Sequence, residues 1–338
     1  MPEPLTSVRQ ISHVAYGFFL SKALFSALNI ELFGQLAEGP ADLDTLCRRT
    51  GVAENRLETL VAALLSVGLL QREGEKIANS PAAQRYLMPG AQAYFGDYYR
   101  YQIDRQIYPM MTSLDAGLAG NEAGLANKSM SGWLAEAEDA EDFSRAQHAG
   151  STGPAMMMAS AIDLSGAKTL LDVAGGTGAY SMAFCRNNPG LSACIIDFPS
   201  VIKVAEGFVE SAGMQDRISL LGGDALETTW PGEQDVILMS YLLSAVGGAD
   251  IAPLLRQAWQ ALKPGGKVLL HDFMLDDDRS GPAAAAGFFL SYLTNRIDPV
   301  SFTAADMSDW AAAEGFIDVE SAVMIPEITK IITAVKPS

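Results

Sequence analysis

Histidine and cysteine are both scarce in this chain, three of each among 338 residues. Cys47, Cys185 and Cys194 form no CxxC spacing and are too few for a disulfide framework, so they suggest no metal site and point to a reducing cytoplasm. Basic residues are short as well: 23 Lys and Arg stand against 40 Asp and Glu, a formal net charge of −17. Such a balance disfavours nucleic acid and anionic membrane as partners, and an anionic substrate would need a local Arg or Lys. No run of about eighteen uninterrupted apolar residues occurs, and the opening MPEPLTSVRQ lacks the basic start and apolar core of a leader. A soluble protein is expected.

Apolar side chains, in contrast, are plentiful at 49% of the chain, enough for a full core divided over two domains. Ile11, Val14, Phe18, Phe19, Leu24, Leu28, Leu32 and Phe33 recur at helical spacing, which predicts two consecutive helices broken near Asn29. From 41 to 87 the stretches DLDTLCRRTGV, ENRLETLVAALLSVGLL, QREGEK and NSPAAQRYL read as helix, turn, helix and hairpin, the outline of a winged helix. Its second helix carries Arg56, but bases are few, so packing and dimerisation fit better than DNA binding. Residues 93–165 read as helices that contribute to a substrate pocket, with tyrosines 94, 98, 99, 101 and 108 interleaved with Arg100 and Arg105. Beyond 166, KTLLDVAG, SACIIDFP, ISLLGGDA, DVILMSYLL and GKVLLHDFML alternate with helical stretches. That alternation predicts a mostly parallel sheet covered on both faces, and FIDVESAVM with TKIITAVKP adds an antiparallel hairpin at its edge. The expected domains are therefore 1–92, 93–165 and 166–338.

LLDVAGGTGAYS at 170–181 is a strand, a tight glycine loop and a helix start. A glycine loop alone is weak evidence for a nucleotide. Asp197, ending the next strand ~20 residues on, is placed to accept the two hydroxyls of a ribose. Asp172 at the start of the loop would repel a pyrophosphate but suits an ammonium, which favours the amino-acid tail of S-adenosylmethionine. Asp224 in LLGGDALE sits where an adenine amine is read in such folds, or is simply a turn aspartate.

The motifs DVAGGTG, IIDFPSVIKVA, GGDALE and LRQAWQALKPGGKVLLHDFML resemble those of the class I S-adenosylmethionine-dependent methyltransferases of the plant-type and hydroxyindole O-methyltransferase family, over nearly the whole chain. The resemblance implies an α/β fold: a Rossmann-like methyltransferase domain behind an N-terminal all-α winged-helix domain that forms a homodimer. It implies S-adenosylmethionine as donor and S-adenosylhomocysteine as product. The cofactor residues it implies are Asp172, Gly175, Gly176, Gly178, Asp197, Phe198, Gly223, Asp224, Ala225, Met239 and Ser240. Ala174 replaces the family's usual glycine, which is tolerable if its φ stays negative.

One departure is larger. Where the family has a His that deprotonates a hydroxyl, this chain reads Leu242-Leu243-Ser244-Ala245-Val246, and Ser244 alone is no general base. His13 is expected in packing or a dimer contact and His271 as a hydrogen-bonded strand residue; His148 is open between a substrate contact and a helix surface. The loss of the base favours an acceptor that has no proton to lose. The chain also resembles the bacterial S-methyltransferases of dimethylsulfoniopropionate synthesis, which methylate 4-methylthio-2-hydroxybutyrate. That resemblance implies a small anionic thioether substrate, with Phe19, Tyr98, Arg100, Arg105, His148, Tyr292 and Arg296 as its contacts. The alternatives are C-methylation of a tetrapyrrole, O-methylation of a small aromatic, or donor binding without catalysis.

Overall fold

The computed structural model describes residues 3–121, 137–296 and 298–338. Its contacts divide the chain into two compact units, Glu3–Gln106 and Ile107–Ser338. Part of the helical stretch expected over 93–165 lies outside the described residues.

In the first unit, α1 spans Val8–Asn29, and Ser7 opens it in a reciprocal capping box with Gln10. α1 ends at Asn29, where the break is expected, and a single 3₁₀ turn, Gly34–Leu36, stands where the second helix is expected. Helices α2 (Leu43–Thr50) and α3 (Glu54–Ser66) and the hairpin β1 (Leu70–Glu73) to β2 (Lys76–Asn79) complete the winged helix, with α4 (Pro81–Tyr86) after it. Leu46, Leu57, Leu64 and Phe33 are buried at the centre of this unit, whereas α1 leaves Val8, Ile11, Val14 and Phe19 exposed. By length and composition α1 also passes for a membrane span. It is anchored inside its own unit, where Lys22 and Asn29 both bond the buried Asp104.

The second unit begins with single turns, and its long α5 covers Ala137–Ala161. Strands β3 (Thr169–Val173), β4 (Ser192–Asp197), β5 (Ile218–Gly222), β6 (Gln234–Ser240), β7 (Leu262–Phe273), β8 (Ile317–Ile325) and β9 (Thr329–Val335) form one sheet in the order β5-β4-β3-β6-β7-β9-β8. The first five run parallel, and β9 and β8 return antiparallel at the edge, as the two closely spaced terminal runs predict. Helices α6 (Ala179–Asn187), α7 (Pro199–Ser211), α8 (Gly248–Ala261), α9 (Ala283–Tyr292) and α10 (Ala304–Ala313) complete the unit. Near-continuous apolar runs such as Leu170-Leu171 and Ile195-Ile196 are fully buried, which parallel strands covered on both faces require. Edge strand β8 pairs with β9 through two register shifts, one beside Asp318, whose φ is 51°.

The order reverses at β3, whose chain successor lies on one side and β6 on the other. In open α/β sheets ligands bind at the carboxyl ends of the strands flanking such a point. The glycine loop after β3 occupies it. Here the expectation for Ala174 fails: its φ is 55°, and Gly176 and Gly178 follow at 57° and 81°. The chain must turn sharply because Gly175 passes so close to Asp172 that a Cβ there would lie 2.6 Å from the carboxylate carbon. Left-handed backbone costs a residue with a Cβ about 1–2 kcal/mol, against about 0.5–1 kcal/mol of entropy for a glycine. Ala174→Gly should therefore stabilise the chain by about 0.5–1 kcal/mol in urea unfolding; a loss of stability would contradict a strained Ala174.

Candidate functional site

The loop from β3 into α6 is built around two carboxylates, the buried Asp172 and the half-buried Asp197. Asp172 is wholly buried; Ser181 Oγ donates to its Oδ2 at 2.7 Å, while Oδ1 has no partner among the described residues. Burial, and to a smaller extent the Asp197 charge, pushes Asp172 up to about 7 against the pull of Ser181. Asp197, ending β4, accepts the backbone N–H of Gly176 at 2.8 Å on Oδ2 and of Phe198 at 2.8 Å on Oδ1. Its pKa is pushed up to about 6, again by burial. An orphaned, desolvated carboxylate beside a glycine-lined turn fits a cationic ammonium, so the residues present suit S-adenosylmethionine.

The other expected cofactor residues surround this corner unevenly. Gly223 donates its N–H to Asp197 O at 2.9 Å, tying the loop after β5 to β4. Asp224 Oδ1 accepts from Leu226 N at 2.9 Å, a turn bond, and Ala225 O accepts from Trp230 Nε1 at 2.9 Å. Met239 is a core side chain, and Ser240 Oγ lies 2.9 Å from His271 Nδ1. His271 is fully buried with Nε2 2.9 Å from Thr329 Oγ1, and burial lowers it to about 3, so it is a neutral structural group.

His148, on α5, does reach the glycine loop. Its Nδ1 is 2.7 Å from Thr177 Oγ1, its ring packs on Phe208 with centroids 4.1 Å apart, and burial together with the Arg186 charge lowers it to about 4. It is neutral at physiological pH.

A second corner forms one strand further over. Beyond β6 the chain turns at Tyr241, whose φ is 58°, and buries Ser244 against the end of β7. Ser244 N donates to Asp272 Oδ2 at 2.9 Å, and Phe273 N to Oδ1 at 2.8 Å. Ser244 Oγ and Tyr292 OH are 3.3 Å apart. Arg296 Nη1 donates to the carbonyls of Ser244 at 2.9 Å and Val246 at 3.2 Å, with its guanidinium 4.4 Å from the Tyr292 ring centroid. Burial pushes Asp272 up to about 6 and Tyr292 up to about 12.

The expected substrate residues thus divide. Tyr292 and Arg296 meet Ser244, but the Arg296 guanidinium is engaged with main-chain carbonyls, where a substrate carboxylate was expected. Phe19, Tyr98, Arg100 and Arg105 belong to the first unit. Phe19 is exposed beside Phe18, and Tyr98 packs on Phe95 with centroids 4.8 Å apart. Arg100 bonds Asn29 Oδ1 at 3.2 Å and pairs with Glu31, and Arg100 and Arg105 both approach the Tyr101 ring, at 5.3 and 4.6 Å. Sequence reasoning missed Asp272, although it ends an apolar strand just as Asp172 and Asp197 close theirs. No cluster of metal-ligating side chains occurs among the described residues.

Comparison with known proteins matches residues 130–317 to an O-methyltransferase domain and residues 12–89 to an O-methyltransferase dimerisation domain. The chain is 31% identical over 323 residues to the tetracenomycin polyketide synthesis 8-O-methyl transferase of Streptomyces glaucescens, covering 94% of this chain and 95% of that one. It is 29% identical over 312 residues to the 3-hydroxy-5-methyl-1-naphthoate 3-O-methyltransferase of Streptomyces sahachiroi, covering 92% and 90%. The structure of human N-acetylserotonin methyltransferase with S-adenosylmethionine superposes with a TM-score of 0.88 at 23% identity, over 100% of both chains.

Asp172→Asn tests the first corner. It should weaken S-adenosylhomocysteine binding in calorimetry by roughly 10- to 100-fold, the value of about 1.5–3 kcal/mol for a charged hydrogen bond. Because Asp172 stands above its ordinary 3.8, it favours the unliganded fold at acid pH, and that contribution is lost as pH rises through about 7. The unliganded variant should therefore melt no lower than wild type at pH 8; unchanged affinity would remove Asp172 from the site.

Proposed function

The chain belongs to the O-methyltransferase family that carries its own dimerisation domain, and from that premise we propose that it methylates a hydroxyl oxygen on an aromatic, polyketide-like acceptor. It is an S-adenosylmethionine-dependent methyltransferase, and the matched N-terminal domain supports a homodimer. The observation that carries the acceptor assignment is similarity over nine-tenths of both chains to two enzymes named as O-methyltransferases of polyketide synthesis and of a hydroxynaphthoate. The thioether acid expected from the absent histidine finds no support among these relatives. The hydroxyl of a small aromatic, one of the alternatives expected beside C-methylation of a tetrapyrrole, fits them.

When bound, S-adenosylmethionine supplies an electrophilic methyl group. Asp172 would pair with its ammonium, Asp197 would accept its ribose hydroxyls, and Asp224 would receive the adenine amine. His148 closes the glycine loop from the α5 side as a neutral group, adding no positive charge beside a cationic donor. The chain's contribution is to place an acceptor oxygen in line and to exclude water, effects that together account for several kcal/mol of a transfer barrier.

Purified protein should be incubated with S-adenosylmethionine and, separately, with hydroxynaphthoic acids, polycyclic phenols and 4-methylthio-2-hydroxybutyrate. Mass spectrometry should find a methyl ether from at least one phenol and no sulfonium from the thioether acid. A sulfonium product without any methyl ether would overturn the assignment.

A further inference from the structure

His148 is a half-buried group near the middle of α5, in the same unit as the glycine loop, and its contacts lie on two other elements. Its Nδ1 bonds Thr177 Oγ1 at 2.7 Å, and its ring packs on Phe208 of α7. Thr177 is the apex of the loop, buried between two left-handed glycines, Gly176 and Gly178. Around it the loop is tied by main-chain N–H groups: Gly175 to Ile196 O at 3.3 Å, Gly176 to Asp197 Oδ2 at 2.8 Å and Gly178 back to Gly175 O at 2.9 Å. The side chain at the apex is held from α5.

We infer that the part of α5 before Pro154 is a hinged cover on the donor corner, with the bond from His148 to Thr177 as its latch, so that its seating and donor occupancy strengthen each other. The inference rests on the donor lying at the glycine loop. Both sides of the donor corner meet this stretch of helix. Ala140 and Phe143 pack with Phe198 and Val201, just beyond Asp197, and His148 reaches the loop after β3. Ser144, four residues before His148 and so on the same helical face, is buried with a hydroxyl that has no partner among the described residues. An orphaned buried hydroxyl on that face fits a polar ligand beneath the helix.

The far half of α5 is fastened differently. Ala155, Met158 and Ala159 are buried in one cluster with Ala179 and Ala183 of α6, and Asn187 Nδ2 donates to the Ala159 carbonyl at 2.9 Å. Between the halves lie Gly150, Gly153 and Pro154. Pro154 has no N–H for the Gly150 carbonyl, and the two glycines lower helix propensity, so the helix gives most easily there. A cover hinged at that point swings on an anchored base. Burial and the Arg186 charge keep the imidazole neutral, so the latch offers Thr177 a hydrogen bond without setting a cation beside a sulfonium donor. By linkage, the factor by which the latch tightens donor binding is the factor by which the donor tightens the latch.

Calorimetry with S-adenosylhomocysteine and amide hydrogen exchange test the two directions of that linkage. His148→Ala and Thr177→Val should each weaken S-adenosylhomocysteine binding about 3- to 10-fold, the worth of one neutral hydrogen bond, and the double variant should bind no worse than the weaker single one. His148→Asn, whose amide takes the place of Nδ1, should recover affinity to within about twofold, whereas His148→Gln, which reaches only the Nε2 position, should not. In the wild type, saturating S-adenosylhomocysteine should slow exchange of the amides of residues 140–153 about 3- to 10-fold, and in His148→Ala by less than about twofold. Wild-type affinity in both His148→Ala and Thr177→Val, or protection of 140–153 that survives His148→Ala, would overturn the latch while Asp172→Asn still weakened binding. If Asp172→Asn also bound as tightly as wild type, the donor would not lie at this corner, and the cover would fall with that placement.

Discussion

The parallel part of the sheet ends in carboxylates, two buried and one half-buried, and their desolvation is the constraint on which the rest of the site depends. Asp172, Asp197 and Asp272 terminate, or nearly terminate, β3, β4 and β7, and all three are pushed above the usual carboxylate range mainly by burial. Apolar runs that bury well on both faces bring these groups to the crevice and leave them poorly solvated. A fold that places three acids in this way is only partly satisfied on its own. Backbone N–H groups answer Asp197 and Asp272, and Ser181 answers half of Asp172. The remainder, Asp172 Oδ1, has no partner among the described residues.

The two corners are structurally distinct although they share the same end of the sheet. The donor corner is shaped by backbone: left-handed turns at 174, 176 and 178, with Gly175 against Asp172. The second corner is shaped by side chains, because Arg296, Tyr292 and Asp272 together hold a turn that begins at a strained tyrosine. Backbone strain at Ala174 and Tyr241 on adjacent strand ends is consistent with a crevice in which local stability is given up for placement.

Much of the fold was legible because period and punctuation agree. Alternating apolar runs and helices from 166 onward specify the parallel sheet, two closely spaced terminal runs specify its antiparallel edge, and the helix-turn-helix-hairpin of 41–87 comes from local signals. The glycine turn and the carboxylates beside it were legible because glycines and a strand-end aspartate fall at fixed offsets. The meeting of Ser244, Asp272 and Tyr292 was not, since Asp272 and Tyr292 lie 28 and 48 residues from Ser244 along the chain, and only the tertiary fold brings the three together. The φ of Ala174 was misjudged for a related reason: the close approach of Gly175 to Asp172 is a tertiary fact that a residue type does not announce. The break near Asn29 was legible, since α1 ends there, with the Asn29 side chain bonded to Asp104.

The kinked outer strand β8 has a colloidal consequence. A sheet whose last strand is straight and apolar presents a row of unpaired N–H and C=O groups on which another chain can grow. Two register shifts bend β8, and Asp318 and Glu320 place negative charge along it, on a chain already at −17. Open-ended stacking of copies through this margin is thereby discouraged, even though Ile317 and Val323 lie exposed on it. Association is left to the N-terminal part of the chain, which matches a dimerisation domain.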